Sequence, residues 1–285
     1  MAENTNPLSK YYRQPQIYIK LPSEGKWYPP DVFTSTETGE IPVLPMTAKD
    51  ELAFKTPDAL MNGQATVDVI KSCIPNFKNP WKMVNFDTDT ILLGIRIATY
   101  GETMDINYVV PITNEQATTT VNLPAILDGF RSSKIEDVAT TKSKFKVKLN
   151  PLDYQILTKI STAQFEQQKM YTNVNTSTLS EEEKSKQFSK SFQKLNNINF
   201  DLLVESINTI TTPEGFDVND KVKILEFMNN CPAKLVEEIQ NELGKIRVQA
   251  QVKPIKIKAT EKQIKNGVPA TFEVPITFDQ SNFFA

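Results

Sequence analysis

Histidine is absent from this chain, and that absence excludes a wide range of chemistry. Without imidazole there is no Ser–His or Cys–His nucleophile and no zinc site with a histidine ligand. Cys73 and Cys231 are the only cysteines. They are too few for a four-thiolate zinc site or a disulfide framework, and their scarcity points to a reducing compartment. Only 9 glycines are present. Neither G-x-x-x-x-G-K-[ST] nor G-x-G-x-x-G occurs, which removes the two common phosphate cradles. No apolar run approaches the roughly 20 residues that span a bilayer. The opening MAENTNPLSKYYRQPQ has no apolar stretch of the kind a signal peptide needs. These features predict a protein made in the cytosol, with no membrane partner.

Asp87-x-Asp89 has neither the mid-loop glycine nor the closing glutamate of a calcium loop. It reads instead as acids opening a helix, where negative charge complements the helix dipole. No catalytic constellation emerges from the remaining acids. A net charge of −2 argues against nucleic acid as a partner. In Lys142–Leu149 the lysines alternate with Phe145, Val147 and Leu149, and Ile255-Lys-Ile257-Lys258 repeats the device. That period of two predicts strands with one apolar and one lysine face. A lysine ladder of this kind protects a sheet edge or docks another protein.

What the chain has in quantity is proline and aromatics near its start. Residues 1–45 contain Pro7, Pro15, Pro22, Pro29, Pro30, Pro42 and Pro45, so they are expected to form an extended arm without helix. Gln16–Lys20 alternates as a strand. The arm lies either against its own body or against a neighbour. Its deletion through residue 20 is expected to leave the helical core standing. Tyr11, Tyr12, Tyr18, Trp27 and Tyr28 are the residue types that dominate interface energetics, and they are interface candidates. So are Phe283 and Phe284, whose exposure at the end of the chain would be a liability unless they dock.

The rest divides into 46–149, helical plus a β-hairpin, and 150–285, a helical bundle with a C-terminal hairpin. Thr47 with Asp50 predicts a capped helix start. Leu60, Val67, Ile70 and Ile74 form a helical stripe ending at Pro75, and Ile91, Ile95 and Ala98 form another ending near Gly101. Ile106–Val110 and Thr118–Val121 predict a hairpin. Leu152, Ile156, Ile160 and Ala163 mark a further helix. Ser180 followed by Glu181–Glu183 opens a long helix whose stripe (Phe188, Phe192, Leu195, Ile198, Leu202) is expected to be core. Pro213–Gly215 ends it, Asn219 starts another helix, and Pro232 opens the last with Leu235, Ile239 and Leu243 inward. Val248–Val252 with Ile255–Ile257, then Thr271–Phe278, predict a closing hairpin around Asn266-Gly267. The expected class is α+β, with helices alternating with hairpins.

Four stretches together resemble the baseplate hub family of T-even-type contractile-tailed bacteriophages. They are Leu21-Pro-Ser-Glu-Gly25-Lys-Trp27-Tyr28-Pro29, Leu44–Glu51, Thr56–Trp81 and Leu92–Gly101; the tail Pro275–Ala285 is also similar. The resemblance is strongest over 21–101 and thin from 150 to 250. It implies a non-enzymatic structural subunit of the virion's tail baseplate, assembled in the host cytoplasm. The alternative is an assembly chaperone not retained in the virion. The implied partners are other baseplate, hub or tape-measure proteins, with self-association left open. Relatives often carry Cys-x-x-Cys turns in the middle and C-terminal hairpins. Here the turns at Val110–Glu115 and Ile257–Glu261 contain no cysteine, so neither metal nor any other cofactor is expected.

Overall fold

The structure, a computed structural model, describes residues 6–55, 63–131, 134–249 and 251–276. Short antiparallel strand pairs and helices of very different length make an α+β fold, as the alternation of periodicities predicts. The strands are β1 (Ile17–Lys20), β2 (Glu40–Val43), β3 (Thr103–Val109), β4 (Gln116–Asn122), β5 (Val138–Thr140), β6 (Lys146–Leu149), β7 (Ile207–Thr211), β8 (Asp217–Val218), β9 (Ile255–Lys258) and β10 (Thr271–Val274). The helices are α1 (Ala48–Phe54), α2 (Gln64–Cys73), α3 (Asn85–Tyr100), α4 (Leu123–Arg131), α5 (Tyr154–Thr176), α6 (Glu181–Glu205), α7 (Lys221–Asn230), α8 (Ala233–Val248) and α9 (Glu261–Lys265). Short 3-10 turns form at Pro7–Tyr11 and Pro80–Lys82.

Three apolar clusters organise these elements. In the first, the β1–β2 pair lies on α3, with Ile19 opposite Ile41 and both buried. The approach is close at Gly94. A Cβ added there would sit 3.0 Å from Ile19 Cγ2 and 3.3 Å from its Cδ1. The turn of α3 under β1 therefore accepts only glycine without displacement. Val67, Val69 and Ile70 of α2 and Leu123, Leu127 and Phe130 of α4 complete this core. In the second cluster the sheet β5-β6-β7-β8 is covered by the end of α6 and by α7 and α8, whose Ile239, Leu243 and Ile246 are buried. The third is small. It joins the β3–β4 hairpin to the β9–β10 pair through Val110, Val268, Phe272 and Val274.

Several expectations held in detail. Thr47 and Asp50 form a reciprocal capping box at α1, and Ser180 and Glu183 form another at α6. Gly101, at φ 94°, ends α3. Others did not. Lys146–Leu149 alternates as read, with Val147 and Leu149 buried, but β6 lies between β5 and β7 and is not an edge strand. The neighbours were missed because Val138–Thr140 and Ile207–Thr211 are too short to show a period. Leu123–Arg131 is helical even though Pro124 lies within it, since the first turn of a helix tolerates proline. Val248 closes α8 and does not open a strand. The arm does contain a helical turn, because Pro7 at its start presets φ. Ile19 is wholly buried, so deletion through residue 20 removes core, contrary to the expectation from composition.

Candidate interaction surfaces

The N-terminal arm is fixed to the body by two polar clusters, one part-buried and one buried. The first centres on Arg13. Its guanidinium donates to the carbonyls of Pro45 and Ser72, both at 2.7 Å, to Ser72 Oγ at 2.8 Å, and to Asp50 Oδ2 at 3.2 Å. The same carboxylate oxygen accepts from Thr47 N and Oγ1, each at 2.8 Å, and from Ser72 Oγ at 3.0 Å. An ion pair partly withdrawn from water is tolerated when such additional bonds satisfy its remaining donors and acceptors. Burial, with a contribution from Asp50, pushes the adjacent Cys73 thiol up to about 12. That leaves it protonated and inert as a nucleophile.

The second cluster centres on Asp87, in the first turn of α3 and without exposed surface. It accepts from Ser23 N at 2.9 Å, from Ser23 Oγ, and from Tyr28 Oη at 2.7 Å. Tyr28 Oη in turn accepts from Val84 N at 3.0 Å. Burial raises Asp87 to about 6 against the opposing pull of these hydrogen bonds. It also raises the Tyr28 phenol. Asp87 thus stands at a helix start as its position predicts, but as a desolvated acceptor for the arm. Sequence could not reveal this, because its donors lie 59 and 64 residues away.

These anchors sort the aromatic candidates. The Tyr28 ring packs on Phe33 and Phe77, each 5.3 Å between centroids. Trp27 lies 5.7 Å from the buried Phe86, and Trp27 and Tyr28 are both half-buried against the body. Tyr11 and Tyr12 are 73% and 60% exposed, and Tyr18 on β1 is 53% exposed. Leu8 beside them is 63% exposed. The arm therefore presents Leu8, Tyr11, Tyr12 and Tyr18 outward on a backbone held at Arg13 and by β1–β2 pairing. Phe283 and Phe284 lie outside the described residues.

A second surface was not expected. Helix α5 runs 23 residues and α6 runs 25, yet each buries only three residues among those described. The stripe read as core is only partly covered: Phe192 is 66% exposed, and Phe188, Leu195, Ile198 and Leu202 are half-buried, while Phe165 and Tyr171 of α5 are about half exposed. Tyr171 and Phe188 stack at 4.5 Å, and Ser191 Oγ donates to Gln167 Oε1 at 2.9 Å across the hairpin. Tyr171, Phe188, Phe192 and Leu195 line a groove of about 760 Å³. A helical period shows which residues share a face, but does not show that a third element covers that face.

Among the described residues no group of three or more Cys, Asp or Glu is arranged to hold a metal ion, and no helix is long and apolar enough to cross a membrane. A family model described as T4 bacteriophage base plate protein matches residues 14–263. No curated protein and no solved structure gave a significant match.

Proposed function

We propose that this chain, which belongs to the family of T4 bacteriophage base plate proteins, is a non-enzymatic structural subunit of the hub region of a contractile-tail baseplate. On this reading it works through protein–protein contacts with other baseplate, hub or tape-measure proteins, and its place is the virion tail, assembled in the host cytoplasm. The observation that carries the reading is the pair Tyr11 and Tyr12, exposed on a backbone clamped by Arg13. Exposed tyrosines on a fixed backbone lose little conformational entropy on docking, and tyrosine is among the residues that dominate interface energy. The described residues also offer no histidine, activated thiol or metal cluster for catalysis. Mass spectrometry of purified virions and of isolated tails tests the reading: the chain is expected in both, at a fixed ratio to the other baseplate proteins.

A second reading, an assembly chaperone not retained in the particle, is favoured by the open groove of α5–α6. Its apolar floor suits an amphipathic helix of a partner. Presence of the chain in assembly intermediates but not in finished particles would select it.

A further inference from the structure

A different cleft, of about 670 Å³, lies beside the third apolar cluster. It is lined by consecutive residues of two strands, Thr119–Asn122 of β4 and Ile255–Lys258 of β9. A consecutive run lines a cleft only where the backbone itself borders it, because side chains alone alternate between faces. Strand β4 pairs only with β3, and β9 only with β10. Each strand therefore has one edge without a strand partner among the described residues.

The cleft has two chemically distinct sides. Toward the body it meets Val121, Ile126, Phe130 and Val252; Phe130 is buried in the first core, against which Ile126 and Val252 pack. Ile255 and Ile257 are half-buried against the third cluster, whereas Lys256 and Lys258 are exposed. Among the described residues, these lysines and Lys253 are the only charged ones lining the cleft. We infer that it is a strand-docking site for an extended segment of a partner protein that alternates apolar and acidic residues. Its backbone would pair with the open edges of β4 or β9, its apolar side chains would face Ile126 and Phe130, and its carboxylates would lie beside Lys256 and Lys258. Main-chain pairing supplies affinity in such additions, and alternate side chains supply selectivity. Lysines on an open edge deter indiscriminate pairing, and an acidic strand is the kind they attract.

The test uses the full chain and a nine-residue peptide of alternating valine and glutamate, with an alternating valine and lysine peptide as control. Binding is followed by fluorescence anisotropy, and amide hydrogen exchange by mass spectrometry. The glutamate peptide is expected to bind and to slow exchange in 119–122 and 255–258 at least tenfold. The double substitution Lys256→Glu with Lys258→Glu is expected to weaken binding tenfold or more while leaving the unfolding midpoint unchanged. The proposal is overturned if the glutamate peptide fails to bind at millimolar concentration, or if the lysine peptide binds equally. It is also overturned if those amides are already protected in the free chain and are released by deleting residues 277–285, since the chain's own tail would then be the occupant.

Discussion

Tyr28 Oη lies 2.7 Å from Asp87 Oδ2, and that hydrogen bond ties the proline-rich arm to the first turn of α3. Because Tyr28 also accepts from Val84 N, Tyr28→Phe leaves a backbone donor and a buried carboxylate each short of a partner, while the ring still packs on Phe33 and Phe77. The expected loss is about 1–3 kcal/mol, the cost of unsatisfied buried polar groups. Urea denaturation measures it. An unchanged midpoint would mean that water replaces the hydroxyl.

Stability is expected to carry an unusual pH dependence. Burial raises both Asp87 and Asp89 to about 6, above the ordinary 3.8 of an aspartate, so the folded state holds protons that the unfolded chain releases. The stabilising contribution from these two acids is fully present below about pH 4 and is lost as pH rises through about 6. Asp87→Asn should flatten the fall in stability between about pH 4 and 6 in paired denaturation curves. An identical slope in wild type and variant would contradict this.

Gly94→Ala distinguishes packing from propensity. In an open helix the change stabilises by roughly 1 kcal/mol. Here the new methyl meets Ile19 at 3.0 Å, and overpacking costs about 1–3 kcal/mol. A lowered melting temperature is the expected outcome; a raised one would show that β1 yields freely.

The helix starts were legible because their signals are local: Thr47 with Asp50 and Ser180 with Glu183 lie three residues apart. So were the α8 stripe and the β3–β4 alternation. Arg13 was not legible, since nothing in Tyr-Arg-Gln-Pro marks an arginine whose partners lie 32 to 59 residues away. Phe192 was misread for the opposite reason: helical spacing is visible in the sequence, and coverage is not. The central place of β6 depended on strands of three and five residues, Val138–Thr140 and Ile207–Thr211, too short to announce themselves.

The Arg13 clamp separates the arm's structural and presenting roles. Arg13→Lys keeps the charge but cannot reach Pro45, Ser72 and Asp50 together with one planar fork. It is expected to cost about 1–3 kcal/mol. Deleting residues 1–12 leaves the clamp and β1 intact and should leave the unfolding midpoint within about 0.5 kcal/mol of wild type, the range of surface changes. Deleting 1–20 removes Ile19 and should unfold or strongly destabilise the chain. Circular dichroism melts of the two truncations check this directly.

The central claim, that exposed arm tyrosines place this protein in the baseplate, is tested by one measurement: the amount of the chain in purified tails when Tyr11→Ser, Tyr12→Ser and Tyr18→Ser are combined. The three rings are more than half exposed, so the variant should fold with wild-type stability. The expected result is wild-type incorporation for the native chain and at least a tenfold loss for the triple variant. Equal incorporation of the two chains, or absence of the native chain from purified tails, would contradict the account.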